Sequence, residues 1–278
     1  MSKYVTKAVI PAAGLGTRLR PMTLGMPKEL LPVGKKPIIQ HALEKYMAAG
    51  ISEFCIIVSP EKPQLKDFIT GNWTPPAFPF GKDAQFYKGL ERCRIVFLTQ
   101  DHPRGVADAV GLAKDFVGDD PFACIMPDCL LFSDKPHTQQ VLQVFRKYKK
   151  NVIGTVFIRG ADVKRFGNVG LLRTQRLDGE CFLITSLSDK KVEPLTARPG
   201  ETIHKGFGGG VYLPEYFDLI EVIRPKAKGE VDDVPIHQAL INQGKLLGVL
   251  LKGVAFDAGH PFGFRAAAHY AGRQVNGS

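Results

Sequence analysis

Short apolar runs alternate with helix-periodic segments through the first half of the chain, and this alternation constrains the fold more than any other feature. The run Lys7–Ala13 ends in a glycine-containing loop, as a strand that leads into a turn does. A helix pattern then begins at Pro37 and is closed by Gly50. The predicted elements that follow are strand Glu53–Ser59, strand Arg94–Thr99, a helix near Val106–Phe116, strand Phe122–Pro127 and a helix near His137–Lys150. This order predicts a mostly parallel sheet that helices cover on both faces.

In the second half, strand-like runs follow one another with little helix between them. The predicted strands are Val152–Ile158, Asn168–Leu172, Cys181–Leu187 and Leu246–Phe256, and the predicted helices are Glu215–Ile223, Val234–Asn242 and Phe262–Ala271. This order favours an antiparallel or mixed extension of the sheet. We therefore predict one α/β domain over residues 1–278, with a mostly parallel mixed central sheet between helices and a smaller mixed sheet. The stretch Thr70–Gly81, which has three prolines and the only Trp, is predicted to be a surface loop or flap.

The composition is that of an ordinary globular protein and excludes disorder and low complexity, because 44% of the 278 residues are hydrophobic and 23% are charged. Lys and Arg number 37 against 27 Asp and Glu, which gives a net charge of +10. This excess favours anionic partners. It does not separate nucleic acid, acidic membranes and phosphorylated metabolites from a basic surface that has no partner.

The sequence predicts a cytoplasmic protein with reduced thiols. No apolar run reaches the ~20 residues that a membrane span needs, and the start MSKYVTKAVIP lacks the length and the cleavage site of a signal peptide. The five cysteines are never spaced as CxxC and mostly fall in apolar runs. They are Cys55, Cys93, Cys124, Cys129 and Cys181. Buried, reduced thiols therefore fit better than a metal site or disulfides.

The loop after the first predicted strand, Ala12–Pro21, carries the pattern Gly-x-Gly at Gly14 and Gly16. Glycines let backbone N–H groups approach a phosphate closely, and open α/β sheets bind ligands at the carboxyl ends of their strands. Leu19 stands where the dinucleotide fingerprint has its third glycine, and the sequence has no GxxxxGK[ST] pattern of a P-loop. Neither of these two sites is therefore predicted.

Two cations accompany this loop, Arg18 within it and Lys28 in the segment Pro27–Pro32 that follows. A guanidinium fork and a lysine point charge that converge on a glycine-rich loop suit a triphosphate. An ordinary basic loop is the alternative, and it would be favoured if either element stood alone.

The chain carries GLGTRLRPMT at 14–23 and PKELLPVGKKPIIQHALEKYMAAGI at 27–51. These segments resemble the signature of the sugar-nucleotide pyrophosphorylases, which couple a nucleoside triphosphate to a sugar 1-phosphate. AGLGTR and PKE are more similar to the bacterial glucose-1-phosphate uridylyltransferases than to the thymidylyltransferases, which usually carry AGGSGTR and a glutamine after the lysine. The match is dense over Lys7–Gly50, and islands in the family's order extend it across nearly the whole chain.

The resemblance implies a Rossmann-like three-layer α/β/α nucleotidyltransferase fold in one domain, with a nucleotide-binding half over 1–135 and a sugar-phosphate-binding half over 136–278. It also implies that UTP and glucose 1-phosphate react with each other to give UDP-glucose and pyrophosphate, with Mg²⁺ as the cofactor. The alternatives are the same reaction with dTTP or another hexose phosphate, and a non-catalytic sugar-nucleotide-binding relative.

The partners expected from the resemblance are these substrates and a second copy of the chain, since relatives are often dimers or tetramers. Nucleic acid is not expected, because the basic residues are scattered and no nucleic-acid motif is present. A membrane partner is not expected either.

On the nucleotide side, the resemblance implies roles for the glycine-rich loop and for Thr99–Val110. The implied catalytic residues are Arg18, Lys28 and Asp128, and the implied nucleotide-binding residues are Ala13, Gly14, Gly16, Thr17, Gln100 and Gly105. Gln100 and Gly105 match the family's base-recognition segment, in which a glutamine side chain and a glycine backbone contact a pyrimidine. An amide offers a donor and an acceptor to the uracil imide, whereas a glutamine at a strand end is more often solvated.

Two acids follow apolar strand patterns, Asp128 after Ile125–Pro127 and Asp257 after Phe256. The second resembles the family's late Asp-x-Gly. A single Asp at the end of a strand is usually the cap of a helix or turn. Two such carboxylates can hold Mg²⁺, which prefers oxygen ligands and keeps waters and substrate phosphates in its other positions. In the family's register, the two acids therefore predict a magnesium site.

The sugar side keeps the family pattern less completely. Gly167 and Gly210 lie in the two glycine turns that the family places against the sugar. Between them the family carries Glu-Lys-Pro, whereas this chain reads Lys-Lys-Val-Glu-Pro at 190–194. Glu193 matches the glutamate that contacts sugar hydroxyls, and the lysine that contacts the phosphate is missing. The expected substitutes are Lys191 and Lys228, with two solvated surface lysines as the alternative.

Overall fold

The computed structural model describes residues 4–73, 82–167, 170–188, 200–227 and 229–276. Its strands are β1 (Lys7–Pro11), β2 (Pro32–Val33), β3 (Lys36–Pro37), β4 (Glu53–Val58), β5 (Arg94–Thr99), β6 (Phe122–Ile125), β7 (Cys129–Phe132), β8 (Asn151–Arg159), β9 (Leu172–Asp178), β10 (Cys181–Leu187), β11 (Thr202–Tyr212), β12 (Leu246–Leu250) and β13 (Val254–Asp257). Its α-helices are α1 (Ile38–Ala48), α2 (Pro63–Ile69), α3 (Ala84–Leu90), α4 (Val106–Gly111), α5 (Lys114–Val117), α6 (His137–Tyr148), α7 (Glu215–Ile223), α8 (Asp233–Asn242) and α9 (Pro261–Asn276). Short 3₁₀ segments occur at Thr17–Leu19, Lys28–Leu30, Gly160–Arg165 and Arg224–Lys226.

Within these residues, the centre of the domain is a nine-stranded mixed sheet in the order β5-β4-β1-β6-β11-β8-β12-β10-β9. The four strands β5, β4, β1 and β6 are parallel to one another. β11 runs antiparallel to both β6 and β8, β12 is parallel to β8, and β10 and β9 continue the sheet in antiparallel order. The two-stranded antiparallel pairs β13-β7 and β2-β3 lie outside this sheet.

The mixed α/β fold predicted from the sequence is confirmed, but parallel pairing prevails only in the first half. Among the described residues, the strands of the second half do not build a separate smaller mixed sheet. They extend the central sheet, because β11 pairs with β6 of the first half as well as with β8. The smaller sheets are instead the two antiparallel pairs.

The side chains of β1 explain why helices cover both faces of the sheet. Ala8, Val9 and Ile10 are fully buried, and successive side chains of a strand point to opposite faces. Ala8 and Ile10 belong to an apolar cluster that includes residues of α1 and α6. Val9 belongs to a second cluster, which includes residues of α4, α7 and α8. A strand that is buried on both faces needs a continuous apolar run, which is the pattern seen in the sequence.

Two predicted elements are divided in the structure. The helix predicted near Val106–Phe116 is the two short helices α4 and α5. The long strand predicted at Leu246–Phe256 is β12 followed by β13, because the chain turns at Gly253, where φ is +138°. After this turn β13 leaves the central sheet and pairs with β7.

Other predicted elements are present but have different bounds. Strand β9 begins at Leu172, where the predicted strand Asn168–Leu172 ends, and residues 168–169 lie outside the described residues. Helix α9 continues to Asn276, beyond the predicted end. Of the predicted loop or flap at Thr70–Gly81, residues 74–81 also lie outside the described residues. Strands β5 and β10 and helix α7 have the predicted bounds.

Strand β11 was not predicted, because its sequence contains Gly-Phe-Gly-Gly-Gly at 206–210, which has the composition of a turn. The pairing of β11 with β8 shifts register between Gly206 and Gly210. Within this bulge, Gly208 and Gly209 have φ of +76° and +102°, a conformation that glycine adopts without strain. The glycines therefore allow the strand to bend and continue.

The states of the cysteines and of the helices can be compared with the predictions of reduced thiols and of no membrane span. All five cysteines are free, and three are buried, whereas Cys93 and Cys129 are half-buried. In the part of the chain that the structure describes, no helix has both the length and the apolar character needed to cross a membrane. The cytoplasmic location stays a prediction.

Candidate active site

A cavity of about 550 Å³ opens at the carboxyl ends of β1, β5 and β6, the edge where open α/β sheets bind ligands. Its lining comes mainly from the loops after these strands, from the glycine-rich middle of β11, from the end of β13 and from residues 230–237 at the start of α8. The residues predicted from the sequence that line it are Ala13, Gly14, Thr17, Arg18, Lys28, Gln100, Gly105, Asp128 and Asp257. The fold therefore brings together residues that are far apart in the chain.

Gly14 and Gly16 have different structural roles in the loop after β1. Gly14 lines the cavity, and a Cβ built on it would meet no atom within 4 Å. Gly16 does not line the cavity; it has a φ of +66° and precedes the 3₁₀ segment Thr17–Leu19. Its carbonyl accepts a 2.9 Å hydrogen bond from the Thr23 hydroxyl, and a Cβ on it would lie 3.3 Å from the Lys28 Cβ. Gly16 thus shapes the loop and lets Lys28 pack against it.

Lys28 and Asp128 form an ion pair in the cavity lining, with 2.5 Å between Nζ and Oδ2. Burial by itself would lower the pKa of Lys28, but the charges of Asp128 and Glu29 outweigh burial and hold this pKa above its ordinary value. Burial by itself would raise the pKa of Asp128, but the charge and hydrogen bond of Lys28 and the charge of Arg18 outweigh it and lower this pKa. Both groups are therefore charged at neutral pH.

Asp257 is oriented by backbone donors rather than by a side chain. Its Oδ2 accepts a 2.8 Å hydrogen bond from the Gly167 N–H, and its Oδ1 accepts a 3.0 Å hydrogen bond from the Gly259 N–H. A Cβ built on Gly259 would clash with Asp128 Oδ2 and lie 3.2 Å from Asp257 Oδ1. The two carboxylates therefore meet at one glycine and both line the cavity.

This pair of carboxylates fits a divalent cation such as Mg²⁺, which takes one or two protein carboxylates and completes its shell with waters and phosphates. Among the residues that the structure describes, no group of three or more His, Cys, Asp or Glu side chains offers a larger ligand set. Asp128 and Asp257 are each 7% exposed, so they are shielded from bulk water while facing the cavity.

A buried ion pair that was not predicted from the sequence supports the glycine-rich loop. Glu29, next to Lys28, is fully buried, and its carboxylate accepts hydrogen bonds of 2.9 and 3.1 Å from Lys62 Nζ. Lys62 Nζ also donates to the carbonyl of Ala12, just after β1, over 2.8 Å. The pair thus joins the segment that carries Lys28 to the start of the loop. A glutamate among the apolar residues of PKELLP was the available signal, because a buried carboxylate needs a partner.

Gln100, just after β5, and Gly105, just before α4, are in direct contact. Gln100 Nε2 donates to the Gly105 carbonyl over 3.3 Å and to Asp108 Oδ2 over 2.9 Å. Gln100 and Gly105 both line the cavity. The structure therefore brings together the two residues predicted to recognise the base, and it adds Asp108, which was not predicted.

The backbone of Val231 fixes the position of Gly105. Gly105 has a φ of +104°, and a Cβ on it would clash with the backbone of Val231. The Val231 N–H donates to the Arg104 carbonyl over 2.7 Å, and the Val231 carbonyl accepts from the Ala107 N–H over 3.0 Å. Only glycine fits at position 105, because the left-handed φ and the close approach both exclude a side chain.

The residues predicted for the sugar side do not all lie at the cavity. Gly167 contacts Asp257 through its backbone, as described above. Gly210 lies inside β11, where a Cβ would clash with the Val152 carbonyl, and it does not line the cavity. The neighbouring Gly208 and Gly209 do line it. The predicted sugar-side residues that lie outside the described residues are Lys191, Glu193 and Lys228.

Lys205 is a buried cation in the cavity lining that was not predicted from the sequence. It lies in β11 and is 2% exposed. By the alternation of the strand it shares a face with Ile203 and Phe207, and its Nζ lies 5.8 Å from the centre of the Phe166 ring. The sequence signal for this burial was that Lys205 alternates with the apolar residues Ile203 and Phe207, as the residues on one face of a strand do.

Proteins that are similar in sequence cover nearly the whole chain. The family model described as nucleotidyl transferase matches residues 7–270. A putative UTP–glucose-1-phosphate uridylyltransferase of Bacillus subtilis (strain 168) is 29% identical over 259 residues, which cover 92% of this chain and 92% of that protein. UTP–glucose-1-phosphate uridylyltransferase 2 of Streptococcus pyogenes serotype M3 is 30% identical over 270 residues, which cover 94% of this chain and 88% of that protein.

Solved structures show the same fold. The crystal structure of a UDP-glucose pyrophosphorylase complexed with UDP-glucose superposes with a TM-score of 0.82 at 23% identity, covering 98% of this chain and 100% of that chain. UTP-bound UGPase from Acinetobacter baumannii superposes with a TM-score of 0.74 at 21% identity, covering 98% of each chain. Because the family model also spans nearly the whole sequence, this chain belongs to the nucleotidyl transferase family.

Proposed function

We propose that this protein transfers the uridylyl group of UTP to glucose 1-phosphate, which forms UDP-glucose and releases pyrophosphate. The observation that carries the proposal is one cavity in which Lys28, Asp128 and Asp257 lie close together while Gln100 lines the same space. A cation and two carboxylates suit phosphorylated substrates with a divalent metal, and a primary amide suits the edge of a base. The names of the uridylyltransferase relatives support UTP and glucose 1-phosphate as the substrates.

On the nucleotide side, the loop after β1 supplies the contacts to the triphosphate. Gly14 carries no side chain, so a phosphate can approach the backbone closely there. Arg18 contributes a guanidinium fork and Lys28 a point charge. Both offset the negative charge that builds on the α-phosphoryl oxygens. Gln100 and Gly105 contact the base from the loop after β5.

Asp128 and Asp257 are the residues that we assign to Mg²⁺. Bound Mg²⁺ would offset the charge of the phosphates and orient them. The chain itself holds the two carboxylates in place: Lys28 binds Asp128, and the backbone N–H groups of Gly167 and Gly259 bind Asp257. Little reorganisation of these oxygens is then needed when substrates bind.

The reaction needs no nucleophile from the protein. An oxygen of glucose 1-phosphate attacks the α-phosphorus of UTP, the bond from this phosphorus to the oxygen that bridges to the β-phosphate breaks, and pyrophosphate leaves. The protein brings two mutually repelling anions into line, and this positioning lowers the barrier of the reaction. We assign Lys205, which lines the cavity from β11, to the sugar phosphate. Lys191 and Lys228 stay predicted alternatives.

Pyrophosphate release measured with UTP, glucose 1-phosphate and Mg²⁺ tests the proposal. We expect UDP-glucose and pyrophosphate in equal amounts, and neither product when the sugar phosphate is omitted. A panel of dTTP, CTP and other hexose 1-phosphates tests the alternative substrates, because a higher kcat/KM for another pair would replace UTP and glucose 1-phosphate. Tight binding of UDP-glucose without pyrophosphate release would support the non-catalytic alternative.

The predicted homo-oligomer can be tested on the same preparation. Light scattering during size-exclusion chromatography gives the mass of the particle that carries the activity. A dimer or tetramer would agree with the prediction, and a monomer would contradict it.

A further inference from the structure

We propose that Asp108 is a positioning residue, which fixes the amide orientation of Gln100 and thereby favours uracil over cytosine. This role rests on the proposed function and deepens it, because it concerns how the same cavity recognises the base of the nucleotide. Asp108 does not line the cavity, so it acts through Gln100 and not through the nucleotide.

Two acceptor oxygens surround the amide nitrogen of Gln100. Its Nε2 donates to Asp108 Oδ2 over 2.9 Å and to the Gly105 carbonyl over 3.3 Å. Gln100 is 6% exposed and Asp108 is 5% exposed. If the amide turned over, its Oε1 would face both acceptors, and the buried carboxylate would lose a donor. With Nε2 engaged in this way, Gln100 presents Oε1 to a ligand in the cavity that it lines.

Two arginines that do not line the cavity hold Asp108 in place. Arg104 Nε lies 3.6 Å from Oδ2 of Asp108, and Arg224 Nε lies 3.3 Å from Oδ1. The arginine side chains are 68% and 43% exposed, so they remain hydrated while they offset the burial of the carboxylate. Both carboxylate oxygens therefore face donors, and Asp108 stays an acceptor toward Gln100.

An acceptor at this place discriminates between pyrimidines. The N3–H of uracil can donate to Gln100 Oε1, whereas N3 of cytosine carries a lone pair and no hydrogen. Thymine has the same imide as uracil, so the amide orientation does not separate UTP from dTTP. A change at Asp108 should therefore alter the preference for UTP over CTP and leave the ratio of UTP to dTTP unchanged.

The experiment compares dissociation constants for UTP, CTP and dTTP with Mg²⁺ in the parent and in Asp108→Asn. In the variant Arg224, which is the closer and less exposed arginine, holds the single amide oxygen at the place of Oδ1. The amide nitrogen then takes the place of Oδ2, which faces Gln100. Gln100 then turns over and presents Nε2 to the base, an arrangement that suits cytosine N3. We expect the preference for UTP over CTP to fall about tenfold, which corresponds to ~1.4 kcal/mol.

Three further variants control for other causes. Asp115→Asn removes the same charge from an exposed acid of α5 and should change neither ratio. Adding Asp108→Asn to Gln100→Ala should change the UTP/CTP ratio no further, because the role requires the Gln100 amide. Asp108→Ala replaces the asparagine variant if a thermal melt shows that the latter does not fold, since alanine is favourable in a helix. It should also lower the ratio, because only the longer hydrogen bond to the Gly105 carbonyl then favours the present orientation of the amide.

The role is overturned if a folded Asp108 variant keeps the parental UTP/CTP ratio, or if the ratio falls equally in the Gln100→Ala background. An equal loss of affinity for all three nucleotides also overturns it, because that result indicates general damage to the site. A parent that binds UTP without releasing pyrophosphate contradicts the proposed reaction and leaves the ratio measurable, so the two failures are distinguishable.

Discussion

Two walls of the cavity are built differently. The wall that we propose for the nucleotide, the nucleotide wall, consists of the loops after the parallel strands β1, β5 and β6, and it carries Lys28, Gln100 and Asp128. The wall that we propose for the sugar phosphate, the sugar wall, consists of the middle of the antiparallel strand β11 and the end of β13, and it carries Lys205 and Asp257. On the first wall, local loop geometry sets the direction of each side chain. On the second, the pleat and the register of strands do so.

The carboxylates show the same contrast. Asp128 is held by the side chain of Lys28, whereas Asp257 is held by the backbone N–H groups of Gly167 and Gly259. A side-chain partner adds charge and can exchange with a ligand, whereas backbone donors fix orientation without adding a unit charge. On the nucleotide wall, Lys28 therefore both orients a carboxylate and supplies positive charge. On the sugar wall, backbone N–H groups orient Asp257, and a different residue, Lys205, supplies the charge.

Removing either carboxylate should have the largest effect on turnover. Asp128→Asn and Asp257→Asn each replace an anionic oxygen with a neutral amide, and we expect kcat for pyrophosphate release to fall more than ~100-fold. Changes in the outer shell of metal sites already cost about 10–100-fold, so the loss of a direct ligand should exceed this. Near-parental turnover of both variants at limiting Mg²⁺ would contradict the metal assignment.

The stability of the same two variants sharpens the contrast between the walls. Asp128→Asn leaves Lys28, whose side chain is 18% exposed, without its ion-pair partner, and the loss of one member of a buried pair costs ~3 kcal/mol. Asp257→Asn retains an oxygen that can accept from one of the two glycine N–H groups. Thermal melts without added metal should therefore give a lower melting temperature for Asp128→Asn. The reverse order would contradict the different roles of the two carboxylates.

The next largest effect is expected at the nucleotide wall. Lys28→Ala should lower kcat/KM for UTP at least about tenfold, because one charged hydrogen bond contributes ~1.5–3 kcal/mol. Lys88→Ala, which removes an exposed lysine of α3, is the matched control and should keep the parental value. Steady-state kinetics with glucose 1-phosphate held at saturation measure the change. Parental kinetics of Lys28→Ala would exclude Lys28 from the triphosphate site.

A smaller effect, on glucose 1-phosphate and not on UTP, is expected at the sugar wall. Lys205→Met keeps the length and the apolar contacts of the side chain but removes its charge. We expect KM for glucose 1-phosphate to rise about fivefold to tenfold, and KM for UTP to stay parental. Lys164→Met, at an exposed position, is the control. A rise in both KM values, or in neither, would break the assignment of Lys205 to the sugar phosphate.

The smallest effect at neutral pH concerns the support of the sugar wall by His137. This side chain is 2% exposed, and its Cε1 would lie 3.1 Å from a Cβ on Gly208. Burial lowers the pKa of His137 from 6.5 to about 3. Below pH 6.5 the unfolded chain therefore binds a proton that the folded protein does not. The free energy of unfolding should fall by up to ~1.4 kcal/mol per pH unit as the pH drops from the unfolded pKa toward the folded one.

Urea unfolding over this acidic range measures the slope. His137→Gln should reduce the pH dependence of the free energy of unfolding, because the variant lacks the His137 imidazole, which must stay neutral in the folded protein. His269→Gln, which changes an exposed histidine in α9, should keep the parental slope. Equal slopes for the parent and His137→Gln would exclude His137 as the source of acid lability.

The nucleotide wall could be predicted from the sequence because its information is local. Gly14, Arg18 and Lys28 all follow β1 within one short stretch of sequence, and Gln100 and Gly105 share one short loop. Apolar runs placed the strands that precede these loops, since a strand buried on both faces leaves a continuous apolar signal. The carboxyl ends of parallel strands then had to meet at one edge.

The partners that hold these groups could not be predicted, because they depend on contacts between distant segments. Nothing local links Glu29 to Lys62, or Asp108 to Arg224. Lys205 was missed for a different reason: the glycines after it have the composition of a turn, so the strand that buries it was not recognised. Register in an antiparallel sheet is set by the partner strand, which the sequence of one strand does not specify.

The contact between Gly105 and Val231 has a consequence for the evolution of this site. Position 231 acts on Gly105 through its backbone N–H and carbonyl, not through its side chain. Substitutions at 231 can therefore accumulate without disturbing this contact, provided that they suit the apolar core, while any substitution at 105 is excluded. We expect related sequences to keep glycine at 105 and to show no paired changes between the two positions, so that a method that infers proximity from correlated substitutions would overlook two residues that touch.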